Sequence, residues 1–427
     1  MKIAIAGYGI EGESNYRYWA TDPKNIITIV DQNQPDRDIP VGVDSIIDKE
    51  AFEQLQDFDL VVRTAGLAPR KITTNGKVWS ATNEFFEKCT AQIIGVTGTK
   101  GKGTTASLIA SILESAGKKV WLLGNIGKPA LDIINQIQPN DTVVYELSSF
   151  QLWDIKKSPH IAVILYIEQE HLDVHINMDE YIDSKTNITK FQTTNDILVY
   201  NQNNEFAKTI ADSSKARLIG YTDVNSAHVA DDCFYYGEQK ICSINSLQLI
   251  GQHNLDNACA AIDVIWESVR DIGVIEKGLN DFVGLPHRLQ FVRDVSGIKY
   301  YDDSIATTPS SAIAALRSFD GPKVIILGGS SKGSDFMKLG DELTRHDVKV
   351  ILIGDEADNI ANSCRIAGFS DFEIISDVTM TKIVNRAQSL AKPGSVVLLS
   401  PASASFGLFK NYSDRGEQYI SAVKSLN

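Results

Sequence analysis

The sequence has no surplus of positive charge, no cysteine pairing pattern, no long apolar run and no repeat, and each absence removes a class of function. Lys and Arg number 41 against 54 Asp and Glu, a formal net charge of −13. A chain this acidic lacks the broad basic face that binding to a phosphate backbone requires, so nucleic acid is excluded as a partner. The five cysteines (Cys89, Cys233, Cys242, Cys259 and Cys364) are odd in number, scattered and without metal-ligand spacing. They read as reduced core thiols of a cytoplasmic protein, not as a disulfide framework or a zinc site. No apolar stretch reaches the ~20 residues of a membrane-spanning helix, so no membrane insertion is expected. Met1-Lys2 runs straight into the strand-like Ile3-Ala4-Ile5-Ala6, which leaves no room for a signal peptide. Fixed-period repeats, low-complexity tracts and long linkers are also missing. What remains is an ordinary globular balance, 43% hydrophobic and 22% charged over 427 residues. That length suits about three domains with a core each. The expectation is a soluble cytoplasmic enzyme acting as a monomer.

Short apolar runs alternate with polar helical stretches in three blocks. In residues 1–88, Lys2–Ala6, Ile26–Val30 and Leu60–Arg63 read as parallel strands, because strands buried on both faces are continuously apolar. In residues 89–285, strands are expected at Ile93–Val96, Lys119–Leu123, Thr142–Leu147, Ala162–Ile167 and Ile197–Tyr200. The tract Cys233–Ile250 reads as a small antiparallel sheet attached to this block. In residues 286–427, Val324–Leu327, Val348–Ile353 and Ser395–Leu399 are strands again. The fold class is α/β: a Rossmann-like amino-terminal domain, a central domain of the P-loop ATPase type, and a Rossmann-like carboxy-terminal domain. Ligands of such sheets gather at the carboxyl ends of the strands.

The firmest motif is Gly95-Val96-Thr97-Gly98-Thr99-Lys100-Gly101-Lys102-Gly103-Thr104-Thr105, after an apolar strand and before an apolar helix. Glycines let backbone amides turn inward on phosphate oxygens, and the helix amino end adds about half a positive charge. Lys102 then reaches the β/γ-phosphates. The strict GxxxxGK[ST] pattern is broken at Val96 and at Gly103, which leaves Thr104 as the nearest hydroxyl for Mg²⁺. A solvated glycine turn is the competing reading, and the strand–loop–helix context disfavours it.

A second glycine motif, Gly7-Tyr8-Gly9-Ile10-Glu11-Gly12, also follows a strand, and Asp31 stands at about the spacing of a ribose-binding acid. Alone it suggests a dinucleotide dehydrogenase. Nothing downstream resembles a hydride-transfer site, and a UDP group suits the same helix end. Glu146 and His171 each follow a strand of the central block. A carboxylate and an imidazole at neighbouring strand ends can hold Mg²⁺ against phosphates.

Taken in order along nearly the whole chain, these motifs resemble the Mur ligase family. The likeness adds Gly124-Asn125-Ile126-Gly127, Gly251-Gln252-His253-Asn254 with Asn257, Gly284-Leu285-Pro286-His287-Arg288, Asp302-Asp303-Ser304, Leu327-Gly328-Gly329 with Lys332, and Ser400–Ser405 leading to Phe409–Tyr412 and Arg415-Gly416. It implies an ATP- and Mg²⁺-dependent ligase of peptidoglycan synthesis that adds D-glutamate to UDP-N-acetylmuramoyl-L-alanine through an acyl phosphate. Gly98, Thr99, Lys100, Gly101, Lys102, Gly103, Thr104, Thr105, Asn254, Asn257, Arg288 and Asp303 are implied ATP contacts. Gly9, Ile10, Glu11, Gly12, Asp31, Gly66, Asn125 and Ser148 are implied contacts of the UDP-linked substrate. Thr307, Lys332, Ser405 and Tyr412 are implied for the incoming amino acid. Metal binding falls to Thr104, Glu146, His171 and Lys185, the last matching a lysine that is carbamylated in the family. A carbamate replaces a cation with an anion beside the metal.

Several positions depart from the family pattern. Gly103 replaces Ser or Thr, as in folylpolyglutamate synthases, which also share Lys100. Tyr166 and Glu170 replace Asn and Asp before the metal histidine. Ile305 replaces a lysine of D-glutamate-adding members, and Thr308 replaces Asn; Thr308-Pro309 suits a helix start before Ser310–Phe319. The alternatives are an L-glutamate-adding variant, a folylpolyglutamate synthase-like ligase and a non-catalytic nucleotide-binding protein.

Overall fold

A computed structural model describes residues 1–124, 128–172, 174–331, 333–376 and 379–426. The expected continuous apolar runs are central strands of three sheets. The first sheet holds β1 (Lys2–Ala6), β2 (Ile26–Asp31), β3 (Asp44–Ile47), β4 (Leu60–Arg63) and β5 (Lys77–Ser80). Its order is β3-β2-β1-β4-β5 and every pairing is parallel. Ile3, Ile5, Ile29 and Val62 fill one face while Ala4, Ala6, Val30 and Val61 fill the other. Strand order reverses beside β1, so the loops after β1 and β4 open on a common crevice.

The second sheet contains β6 (Gln92–Thr97), β7 (Val120–Leu123), β8 (Thr142–Glu146), β9 (Ile161–Ile164), β10 (Ile197–Asn201) and β11 (Arg217–Tyr221), ordered β11-β10-β9-β6-β8-β7. β6 lies between β8 and β9, so the segments leaving these three strands are neighbours at one edge. The antiparallel sheet is real but displaced from its expected span. It comprises β12 (Ala227–Ala230), β13 (Cys233–Tyr236) and β14 (Gln239–Ser243). Past Ser243 the chain turns into a short helix, Ile244–Ser246, whose Asn245 amide is capped by the Ser243 hydroxyl at 3.2 Å. β12 is anchored from outside its own segment, since Asp263 accepts the Ala227 amide at 2.7 Å.

These elements form one compact unit, Met1–Gln248 with Gln252–Phe282; Leu249–Gly251 and Val283–Asn427 form a second. The second unit carries β15 (Gln290–Val295), β16 (Ile298–Asp302), β17 (Lys323–Gly328), β18 (Val348–Ile353), β19 (Phe372–Ile375) and β20 (Val396–Leu399), ordered β15-β16-β20-β17-β18-β19. The Rossmann-like expectation holds here, with β15 and β16 adding an antiparallel hairpin to an otherwise parallel sheet. Ser296 (φ 54°) and Gly297 (φ 79°) make its two-residue turn, the left-handed pair that matches strand twist. The helix Pro309–Arg317 starts as expected, with the Thr308 hydroxyl accepting the Ser311 amide at 3.3 Å. No helix among the described residues is long and apolar enough to cross a membrane.

Candidate functional site

Between β6 and the helix Lys102–Ser115 the chain makes the glycine-rich loop. Gly98 has φ 151° and Gly101 φ 87°. A Cβ on Gly101 would lie 2.4 Å from Asn257 Oδ1, so glycine is required there both for conformation and for space. The Thr99 amide donates to Tyr166 O at 2.8 Å, and its hydroxyl lies 2.9 Å from the Tyr181 hydroxyl. Loop, β9 exit and the helix Met178–Thr186 are thereby tied together.

Two lysines converge on this loop. Lys102 Nζ donates to Gly98 O at 3.1 Å and Thr99 O at 2.8 Å, and Lys185 Nζ donates to the same Gly98 O at 2.8 Å. Lys185 is 1% exposed. Burial, then the positive charge of Lys102, hold its amine well below the ordinary lysine pKa, against a smaller opposing pull from Glu170. Lys100 stays half-exposed and pairs with Glu168. The Thr105 hydroxyl is committed to Asn257 Oδ1 at 3.3 Å, and Asn257 Nδ2 donates to Asn254 Oδ1 at 3.2 Å. Thr104 is buried one residue earlier, in the first turn with Gly103.

Glu146 closes β8 with a buried side chain, and the backbone of Gly124 (φ 122°) presses so close that a Cβ would meet Glu146 O at 2.1 Å. His171 is exposed, adopts φ 57° and has Nε2 3.6 Å from Glu170. Ser148 caps the short helix Ser149–Leu152 in a reciprocal arrangement with Gln151. Among the described residues no group of three or more His, Cys, Asp or Glu forms a metal cage. A buried carboxylate, a helix-end hydroxyl and an imidazole are a sparse set of the kind Mg²⁺ accepts when phosphate oxygens and water complete its shell. Lys185 as an amine does not fit that set; as a carbamate it does.

In the first sheet, Gly7 (φ 90°) and Gly12 are forced by contact, since Cβ atoms there would lie 2.3 Å from Thr64 Oγ1 and 2.1 Å from Gly7 O. Gly9 and Gly66 are exposed with open space beside them, and Ile10 is exposed. They border the crevice between the β1 and β4 exits. Glu11 does not point freely into it: its carboxylate accepts the Ala65 amide at 2.8 Å, and burial raises its pKa. Asp31 is likewise engaged locally, by the amides of Tyr8 at 2.8 Å and Asn33 at 3.2 Å.

In the second unit, Asp303 accepts Ser400 Oγ at 2.7 Å and the Leu289 amide at 3.1 Å. Burial raises its pKa to about 7. Arg288 is exposed, Thr307 half-buried, Ser405 buried and Tyr412 exposed. Asn125 and Lys332 lie outside the described residues. The residues that organise this edge were quoted in motifs but given no role. Arg415, fully buried, donates to Ser304 Oγ (2.9 Å), Ser304 O (2.8 Å), Ser403 O (3.1 Å) and Ala404 O (3.3 Å). Asp302 holds His287 Nδ1 at 2.6 Å and the Ser304 amide at 2.9 Å. Sequence reasoning also passed over His175, a buried imidazole four residues beyond His171.

Comparison with known proteins places this geometry in context. A family model described as the Mur ligase middle domain matches residues 96–265, and one described as the Mur ligase, glutamate ligase domain, matches 287–403. The chain is 33% identical over 446 residues to a UDP-N-acetylmuramoylalanine--D-glutamate ligase of Clostridium tetani, covering 100% of this chain and 97% of that one. It is 36% identical over 394 residues to the protein of that name in Acetivibrio thermocellus, covering 88% and 84%. Its fold matches a MurF ligase of Thermotoga maritima solved in complex with ADP, with a TM-score of 0.60 at 18% identity over 98% and 93% of the two chains.

Proposed function

The chain belongs to the Mur ligase family, and from that premise we propose that it is an ATP-dependent ligase joining D-glutamate to UDP-N-acetylmuramoyl-L-alanine. The observation that carries the reading is the convergence of Lys102 and Lys185 on Gly98 O at the mouth of a left-handed glycine loop. Lys102 opens the helix Lys102–Ser115 beside the loop amides, and a helix amino end with a lysine at its mouth favours an anion. A nucleotide triphosphate supplies that anion, and the loop amides with Lys102 hold its phosphates.

The remaining residues divide by strand end. The crevice beside Gly9, Ile10, Gly12 and Gly66 receives the uridine diphosphate group of the acceptor. Glu11 and Asp31 shape that crevice by holding the loops after β4 and β1, while the family likeness assigns Asn125 and Ser148 to the acceptor's activated end. Asn254, Asn257, Arg288 and Asp303 contact the nucleotide; Thr307, Lys332, Ser405 and Tyr412 receive the glutamate. A carboxylate oxygen of the acceptor attacks the γ-phosphorus of ATP and ADP leaves. The glutamate amine then attacks the resulting acyl phosphate, expelling phosphate and losing a proton. Holding these reactants in line is the main task of the protein. Thr104, Glu146, His171 and a carbamylated Lys185 would hold Mg²⁺, which when bound neutralises phosphate charge. The depressed pKa of Lys185 supports the carbamate, because only a neutral amine adds CO₂.

ADP release tests the reading, with UDP-N-acetylmuramoyl-L-alanine as acceptor and D-glutamate, L-glutamate, lysine or diaminopimelate as the amine. D-Glutamate is expected to stimulate release most. Stimulation by none of the four overturns the proposal, and L-glutamate alone would move it to the other hand of the amino acid.

A further inference from the structure

His171 sits in a loop with no regular structure and takes a left-handed backbone that an imidazole residue adopts at a cost. Something nearby must hold it. The loop closes on itself through the amides of Val174 and His175, which donate to His171 O at 3.1 and 2.9 Å. The closure is anchored by the His175 ring, which is buried among three aromatic side chains. It stacks on Phe150 (5.4 Å, 15°), lies 4.7 Å from Trp153 and meets Tyr181 edge-on at 5.2 Å. Phe150 in turn lies 4.9 Å from the His171 ring.

One hydrogen bond orients the ring, and its Nδ1 has no hydrogen-bond partner among the described residues. Nε2 is 3.0 Å from Ser149 Oγ, three residues beyond Glu146. Nδ1 faces Glu180 Oε2 at 3.5 Å, in the first turn of the helix that bears Lys185. Glu180 also accepts the Ile176 amide at 2.7 Å and pairs with Arg70 at 2.6 Å, while Arg70 donates to Val174 O at 2.7 Å. The imidazole therefore touches the segment leaving β8, closes the His171 loop and packs on the Lys185 helix.

We propose that His175 is a positioning residue that sets the His171 loop relative to Glu146 and Lys185, with Ser149 as its hydrogen-bond partner and Arg70 as a strap on Glu180 and Val174. It touches neither substrate nor metal; it acts through Glu146, His171 and Lys185, three of the four residues that the ligase reading assigns to Mg²⁺, and on that reading the proposal rests. Replacing such a supporting group typically costs ~10-fold or more in metal affinity.

The test uses His175→Phe, which keeps a ring in the stack and removes both nitrogens. In the unliganded protein, the amides of Val174, His175 and Ile176 are expected to exchange with deuterium about fivefold to tenfold faster, with β8 and β9 unchanged. In the working enzyme, the Mg²⁺ concentration for half-maximal turnover should rise ~10-fold, and His175→Gln, which can still reach Ser149, should restore part of it. Ser149→Ala removes the partner from the other side and should shift both readouts the same way by less, which serves if His175→Phe fails to fold. Unchanged local exchange and unchanged Mg²⁺ dependence in the variants overturn the proposal. If the wild-type protein releases no ADP with any amine, the ligase reading fails instead, and the exchange arm still decides whether His175 holds the loop.

Discussion

Lys185 and Arg415 are both basic side chains buried near the strand ends of α/β sheets, and they are buried in opposite ways. Arg415 spends its guanidinium on four oxygens between 2.8 and 3.3 Å, binding the turn after β16 to the segment after β20. Lys185 has one carbonyl at 2.8 Å, shares it with Lys102, and lies 4.6 Å over the Tyr181 ring. Burial lowers both pKa values, Arg415 to about 10, which still leaves it charged at neutral pH. A buried guanidinium with four of its five N–H donors matched is a structural rivet. A buried amine left short of partners is held ready for chemistry, at some expense in stability.

The largest expected effect breaks the Lys185 side of the contrast. Lys185→Ala should lower turnover by ~10³-fold or more, about 4 kcal/mol of transition-state stabilisation, in steady-state ADP release. The unfolding midpoint should hold or rise, since an undercompensated buried amine is removed. Added formate or acetate should restore part of the activity by supplying the carboxylate that a carbamate would provide. Near-normal turnover of the variant would end its proposed role.

Arg415 should answer in the other currency. Arg415→Met takes one of two basic groups, with His287, away from Asp302 and strands the Ser304, Ser403 and Ala404 carbonyls. The cost expected is about 3–5 kcal/mol in denaturant unfolding of the second unit. Arg415→Lys should recover little, because an ammonium cannot reach four oxygens fixed in a fork-shaped array. Recovery by lysine would mean that charge, not geometry, is what the site requires.

The contrast also marks what sequence could reveal. The central strands β1, β4, β6, β8, β17, β18 and β20 were legible because both their faces are buried, which makes the run apolar throughout. β3, β5, β11, β15 and β19 were not, being edge strands of their sheets whose outer residues stay polar. The glycine loop was legible because Gly98 and Gly101 are demanded locally. The second lysine on Gly98 O arrives from 87 residues away, and only the family resemblance drew attention to it. Arg415 was read as part of a motif without a role, since its partners Ser304 and Ser403 acquire meaning only when β16 and β20 pair. His175 was passed over because a histidine in a loop looks solvated until Phe150 and the C-cap Trp153 of one short helix and Tyr181 of another helix enclose it.

Asp303 offers a smaller effect that tests burial without catalysis. Its carboxyl is held near pH 7 by burial, against about 3.9 in an unfolded chain. Between those values the folded state keeps a proton that the unfolded state has lost, so this group's contribution to stability falls as pH rises from about 4 to 7. Asp303→Asn removes that slope. Denaturant unfolding at pH 5 and pH 8 should therefore show the variant gaining on the wild type at the higher pH, by at most ~3 kcal/mol. An equal difference at both pH values would mean the carboxylate is ionised throughout.

The smallest effect separates two adjacent hydroxyls by the same logic. Thr105 has its hydroxyl matched to Asn257 at 3.3 Å, deep in the first turn of the helix. Thr105→Val should cost about 1 kcal/mol of stability, the usual worth of one buried hydrogen bond, and leave the Mg²⁺ dependence of turnover alone. Thr104→Val should do the reverse, sparing stability while raising the Mg²⁺ requirement, because Gly103 has no hydroxyl to offer and Thr105 has already committed its own. If Thr105→Val shifts the Mg²⁺ dependence instead, the hydroxyl that Gly103 lacks is supplied two positions along, and the Asn257 contact must open each time the nucleotide binds.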